Sequence, residues 1–350
     1  MPRRVLLVLG LLAAAALLVS ACGGAPSTED ADARPSAAPT PTPDVVVAPL
    51  TGERVEDVAV ASRPVVAAKI ENAPAARPQA GLDDADVVFE ELTEGGITRF
   101  VALFQSRVPP LVGPVRSGRP EDAALLAAYR PLLFMSGARP DVLDRLGAAG
   151  VAFHEEDGEV LYRDRSRRSP HNVFAVGEDL FRTAVERVGG ASTVGWRFDP
   201  AQPDGAVVCG DPCEQDPGAA ITVAMSHVSE TTFTYDPAAG VYRRLQDGQP
   251  QVLTGAGAVG AANVVVLATE VTDGGCCDVA GNRLSETRTV GTGRAVVLRD
   301  GQRYEATWTK TGPSDHLAIT GADGQSFAFK PGPTWIVLAP HAAVPATAPG

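Results

Sequence analysis

The sequence predicts an α+β protein: a mixed α/β N-terminal domain followed by a β-rich C-terminal domain. Three observations predict it. Between residues 49 and 195, short apolar runs alternate with amphipathic stretches at helical spacing. From about residue 191 the helical periodicity stops. Short alternating stretches follow, separated by turn signals such as Asp247-Gly248, Asp300-Gly301 and Asp323-Gly324. Third, the composition is globular, with 45% hydrophobic and 21% charged residues, enough to supply a core in each half.

Residues 1–21 read as an export signal. Arg3 and Arg4 precede an apolar run, Val5 to Leu18, which is a poor membrane span and a good signal core. Val19-Ser20-Ala21-Cys22 closes it as a lipobox. The arrangement resembles bacterial lipoprotein signals. That resemblance implies cleavage before Cys22, acylation of its thiol (diacylglycerol and palmitate-type chains) and a place on the outer face of the cell membrane. Residues 22–48 are rich in Ala, Pro, Ser, Thr and Asp. Such a stretch cannot bury enough surface to offset chain entropy, so it reads as a tether.

The folded region opens near Pro49. Pro64 to Ile70 is a strand, and Glu71 to Leu82 is a loop punctuated by Pro and Gly. Asp86 to Leu92 and Ile97 to Ser106 are strands joined through Gly95-Gly96, the pattern of a hairpin. Glu121 to Tyr129 is a short helix with Pro120 at its start, where a missing N–H costs little. Leu132 to Met135 is a buried strand that turns into a helix, Asp141 to Leu146. Residues 151–175 return as strands and loops, and Val176 to Val188 is an amphipathic helix closed by Gly189-Gly190. Residues 196–220 form a linker carrying a cysteine pair. The β-rich domain then covers residues 221–340. Its expected strands are Ile221–Ser226, Thr231–Tyr235, Tyr242–Leu245, Asn263–Leu267, Arg288–Val290, Arg294–Leu298, Arg303–Trp308, Leu317–Thr320, Ser326–Lys330 and Trp335–Ala339. Residues 341–350 form an Ala/Pro-rich tail.

The formal charge is −12, and loss of Arg3 and Arg4 with the signal makes it −12 − 2 = −14. So acidic a body does not suit nucleic acid. Only Lys69, Lys310 and Lys330 are lysines; the other cations are arginines. With Cys22 acylated, Cys209, Cys213, Cys276 and Cys277 remain, an even number that suits disulfides in an exported chain, with three connectivities open. No metal site is expected, because no second well-spaced CxxC pair, EF-hand loop or His-Glu-x-x-His is present. The turn at His154 to Glu159 reads as a solvated acidic turn. No phosphate-cradling loop or dinucleotide fingerprint appears, and no cofactor is expected.

Polar residues crowd into four loops of the N-terminal half: Glu71 to Gly81, Glu94 to Arg99, Gly113 to Pro120 and Arg168 to Asn172. The stretches Ile70-Glu71-Asn72, Ala76-Arg77-Pro78-Gln79-Ala80-Gly81-Leu82, Glu94 to Arg99, Gly113 to Arg119 and Pro170-His171-Asn172 carry a family resemblance. They are similar, in order and spacing, to the YerB-like exported lipoproteins of Gram-positive bacteria, catalogued as domain of unknown function 3048. The resemblance spans residues 49–340 and covers N- and C-terminal parts, with the C-terminal match resting on looser β patterning. It implies an envelope lipoprotein with this domain order and does not itself assign an activity. The two cysteine pairs are not part of the family pattern.

Read as chemistry, the loops predict a cleft. Arg116 and Arg119 offer planar forks suited to a carboxylate or phosphate, just before a helix N-terminus. Glu71, Asn72, Arg77, Gln79, Glu94, Thr98, Arg99, Ser117, Arg168, His171 and Asn172 complete the expected ligand-binding set. The first reading is a membrane-anchored binding protein, without catalysis of its own, for peptidoglycan or an envelope protein. The alternative is an enzyme acting on a cell-wall glycan, peptide or ester through His171, with Ser117 or Ser136 as partner nucleophile. A third is a solute-binding lipoprotein.

Overall fold

The computed structural model describes residues 46–207, 218–255, 257–276 and 281–345. The signal, most of the tether, Cys22, Cys209, Cys213, Cys277 and the end of the tail lie outside the described residues, and with them the disulfide pairing.

After the short helix α1 (Val58–Ser62), the N-terminal half supplies β1 (Val66–Glu71), β2 (Val87–Leu92), β3 (Thr98–Phe104), β4 (Leu132–Phe134) and β5 (Ala152–His154). Among the described residues these join five C-terminal strands in one ten-stranded sheet. Its order is Ala318–Gly321, Gln302–Lys310, Gly291–Arg299, Asn263–Thr269, Thr334–Pro340, β2, β3, β1, β4, β5. The seam between the halves is a parallel pairing of β2 with Thr334–Pro340, from Val87 opposite Thr334 to Glu90 opposite Val337. β2 and β3 form the expected antiparallel hairpin. The central strands are buried on both faces, which explains why Asn263–Thr269 and Trp335–Ala339 read as nearly unbroken apolar runs.

Strand alternation divides the interior into two cores. Val66, Ala68, Ile70, Phe100 and Trp335 face one core; it is closed by helix α4 (Gly177–Arg187) and by a second, antiparallel sheet. That sheet contains Ala220–Ala224, Glu230–Asp236 and Val241–Gln246. Its first strand buries Ile221 and Val223 and exposes Ala220, Thr222 and Ala224, the two-residue period of a half-buried strand. Ala67, Phe89, Val101 and Leu103 face the other core, closed by helices α2 (Asp122–Leu126) and α3 (Pro140–Ala148) and by Tyr304 and Trp308.

Two expectations shift. The stretch Glu121 to Tyr129 is not one helix: α2 gives way to a 3-10 turn at Ala127–Tyr129, ended by Arg130 in the left-handed region at φ 48°. The strand expected at Arg288–Val290 lies earlier, at Ser285–Thr287, because its partner is Val271–Asp273 and their ladder ends at Val271 opposite Thr287. Pairing, not β-propensity, sets the bounds.

Tyr242 ties the second sheet to the large one. Its hydroxyl donates to the Gly218 carbonyl at 3.1 Å and accepts from the Gly301 N–H at 3.0 Å. Tyr242→Phe removes the acceptor of a buried N–H, so it is expected to cost about 1–3 kcal/mol in denaturant unfolding.

Candidate functional site

Consecutive residues of β1, β2 and β3 point to opposite faces, so the polar residues at their ends divide into two groups. Lys69, Glu71, Glu91 and Arg99 project on the α2/α3 side; Asn72, Glu90 and Thr98 enter the side covered by the second sheet.

On the α2/α3 side lies a cleft of ≈450 Å³. Arg99, Arg116, Arg119 and Glu94 line it, with Ser117 and Ser136 on its walls. Pro120 at the start of the α2 turn and Arg139 before α3 bring the loops together. Arg119 Nε donates to Glu94 at 3.2 Å, and its Nη2 makes a shorter bond to the same carboxylate. Arg99 lies 3.7 Å from Glu94 and donates to the Ser117 carbonyl at 3.2 Å. Arg116 Nε donates to Glu71 at 3.2 Å. Three guanidiniums thus face two carboxylates. Burial lowers the Arg99 pKa to about 10, with the Arg119 charge adding to the fall. Burial pushes the Glu94 carboxyl up, but Arg99 and Arg119 outweigh it and hold the group below its ordinary value. Arg99 Nε is buried and has no hydrogen-bond partner among the described residues. At Gly118 a Cβ would come within 2.7 Å of Met135 Sδ, so a larger residue there would require the buried Met135 side chain to shift.

Beneath this floor sits a cluster that the sequence reading did not assign. Lys69, Glu91, Glu121 and Asp122 are all buried. The Lys69 ammonium bonds Glu91 and lies 2.7 Å from Asp122 Oδ1, while Asp122 Oδ2 accepts from the Arg119 backbone N–H at 2.7 Å. One ammonium therefore bonds two carboxyls and acts on the third, Glu121, through its charge alone. Burial raises Glu91 to about 7 despite Lys69, and burial together with Glu91 pushes Glu121 well above the ordinary carboxyl range. Both Glu121 oxygens and Glu91 Oε2 lack hydrogen-bond partners among the described residues. A signal was present: a lysine within the run Val65-Val66-Ala67-Ala68-Lys69-Ile70, in a chain with three lysines, and adjacent glutamates within a buried strand.

On the other face, the Glu90 carboxylate accepts from Thr98 (3.0 Å), Thr231 (2.7 Å), Arg244 Nη2 (2.6 Å) and Trp335 Nε1 (3.3 Å). Arg244 also lies over the Phe100 and Trp335 rings, at 5.0 and 5.2 Å. Asn72 donates to Thr98 and to Gln246, and Gln79 donates to Asn72 Oδ1 at 2.9 Å. Asn72, Gln79 and Thr98 are thus buried in a network joining the two sheets, away from the cleft.

The remaining candidates occupy the loop edge. Arg77 donates to the Asn72 carbonyl at 2.9 Å and reaches Asp247 at 3.4 Å. Arg168 is exposed; the neighbouring Arg167 fastens the Glu71–Gly81 loop by donating to the Ala76 and Pro78 carbonyls. Asn172 holds its own loop through Asp164 and Arg163. His171 Nδ1 is 2.8 Å from Glu71, whose other oxygen carries Arg116. Among the described residues no cluster of three His, Cys, Asp or Glu side chains has a geometry for metal.

Both the paired-sheet fold and the four loops now have a context. The chain belongs to the family described as protein of unknown function (DUF3048): the N-terminal domain matches residues 50–190 and the C-terminal domain residues 221–336. It is 29% identical over 312 residues to the protein called "Putative lipoprotein YerB" of Bacillus subtilis strain 168, covering 84% of this chain and 86% of that protein. The crystal structure of YerB from Bacillus subtilis superimposes with a TM-score of 0.72 at 27% identity, over 87% of this chain and all of that one.

Proposed function

We propose that this is an exported lipoprotein, anchored through Cys22 to the outer face of the cell membrane, whose cleft binds an anionic group of peptidoglycan or of an envelope protein. The lipobox and the Pro/Ala-rich tether support the address, and the name of the Bacillus relative agrees with it. The observation that carries the binding reading is the excess of guanidinium over carboxylate around the cleft, with a buried Arg99 Nε that has no hydrogen-bond partner among the described residues. Arginine forks in a partly buried site suit a carboxylate or phosphate.

The test is co-sedimentation of the body from Asp44 to Gly350 with purified peptidoglycan. In the double variant Arg116→Ala, Arg119→Ala, Glu71 keeps His171 and Glu94 keeps Arg99, so the variant is expected to fold. Binding should fall by about tenfold or more. Equal binding by wild type and folded variant would sink the cleft as the site; no binding by either would point to a protein partner.

The second reading, an enzyme, rests on the His171–Glu71 pair. A carboxylate on Nδ1 fixes the tautomer and leaves Nε2 free to accept a proton. Loss of a wall-hydrolysing activity in His171→Gln, with peptidoglycan binding intact, would favour it.

A further inference from the structure

We propose that the cleft is one end of a groove that holds a short, extended peptide, with its free C-terminal carboxylate on Arg99 and Arg119. The proposal rests on the anion-binding reading and specifies its ligand. A second cavity of ≈520 Å³ adjoins the cleft, and Pro120 lines both. The two share their walls. On one side Arg139, just before α3, and Val142 of α3 line the cleft, and Arg145 and Ala148 of the same helix line the second cavity. On the other, the strand Ser285–Thr287 contributes Ser285 to the first and Thr287 to the second.

Three features select a peptide. The strand Ser285–Thr287 pairs only with Val271–Asp273 among the described residues, so one edge has no strand partner. Such an edge accepts an extended backbone through main-chain hydrogen bonds. Second, the lining changes character along the groove. Arg99, Arg116, Arg119 and Arg139 line the cleft end, with Val142 and Leu284 beside them; the far cavity is mixed, with Arg145 and Arg288, Glu121 and Glu286, and Thr287 among four alanines. Thr287 Oγ1 and both Glu121 oxygens are buried without hydrogen-bond partners among the described residues. Burial, with Glu91 beside it, pushes the Glu121 carboxyl well above its ordinary range; this favours the neutral form, which can donate as well as accept and suits amide groups better than charges. Third, Arg139 is paired with Asp141, and the other three cleft guanidiniums, Arg99, Arg116 and Arg119, share the two carboxylates Glu71 and Glu94, so one added negative charge balances them. A terminal carboxylate supplies that charge. The Arg145–Glu286 ion pair, at 2.6 Å and half-exposed, links the two walls of the second cavity and would have to part or arch over the bound chain. An exposed pair contributes little stability, so its opening is cheap.

The test is calorimetric titration of the full chain in detergent with pentaalanine carrying a free C-terminus, pentaalanine amide, dialanine with a free C-terminus, and inorganic phosphate. Pentaalanine acid is expected to bind about tenfold tighter than its amide, the gain of one charge-assisted contact. It should also outbind dialanine. In Ala148→Trp, an exposed position on the wall of the far cavity, the pentaalanine advantage should vanish while dialanine and phosphate binding stay unchanged. Acid and amide binding equally would overturn the proposal. Phosphate binding without peptide binding would overturn it while leaving the anion site standing. If neither binds, both readings fall.

Discussion

Arg244→Leu is expected to lower the unfolding free energy by about 3–5 kcal/mol and the thermal midpoint by on the order of 10 °C. Arg244 and Glu90 are both fully buried, and the guanidinium meets the carboxylate through Nε at 3.2 Å and Nη2 at 2.6 Å. Removing one partner leaves the other charge in the interior, which costs more than the pair contributes. Thr98, Thr231 and Trp335 would still bond Glu90, but they supply no counter-charge. The loss should also loosen the loops around Asn72 and Gln79, because Gln246 connects them to Arg244. Replacing both partners, Glu90→Leu with Arg244→Leu, should recover a good part of the loss, since no lone charge remains. Chemical denaturation of the three proteins measures this directly. A single variant within 1 kcal/mol of wild type would show that the network does not fasten the second sheet to the first.

That network also explains what the sequence concealed. The elements were legible where periodicity is strong. β2 and β3, the strand after Tyr129, α4 and the seven-residue strand from Thr334 lie within a few residues of their expected places. The nearness of Arg116, Arg119, Arg99 and Glu94 was legible too, because Arg116, Arg119 and Glu94 come from Gly- and Pro-punctuated loops and Arg99 from the start of the strand that follows Gly95-Gly96. What could not be read was the face each polar residue takes. Asn72 follows Glu71 by one position, yet the two belong to networks on opposite sides of the sheet. A single-residue difference flips the side chain across a strand, and only the pairing partner fixes which face is which. The same geometry separates Glu90 from Glu91. Nor does local sequence show that Thr334–Pro340 lies beside β2, some 245 residues away between Glu90 and Trp335; a parallel pairing is a property of the whole chain.

Stability is expected to fall as pH rises from about 4.5 to 7, and Glu91→Gln should flatten that slope. Burial raises the Glu91 carboxyl to about 7 against an ordinary 4.5, with Lys69 only partly opposing. The folded state therefore binds more protons than the unfolded chain within that window, so raising pH through it disfavours folding. Asp86, raised by burial to about 6, acts in the same direction between 3.8 and 6. Glu94 acts oppositely: its folded value is depressed, so its contribution is present above 4.5 and is lost as pH falls through that lower value. Subtracting the variant's profile from wild type isolates Glu91. The glutamine keeps an oxygen for Lys69 to bond, and Asp122 remains as the ammonium's counter-charge. The difference should reach on the order of 2 kcal/mol in favour of the variant by pH 8 and shrink toward pH 4.5. Parallel profiles would mean that Glu91 is ionised in the folded protein throughout. The consequence would reach the cleft above. An ionised Glu91 beside Asp122 and Glu121 would place excess negative charge under Arg119, offsetting the positive excess that suits the cleft to an anion. With the proton held in the cluster, the single Lys69 ammonium suffices below, and the three guanidiniums keep their surplus for a ligand.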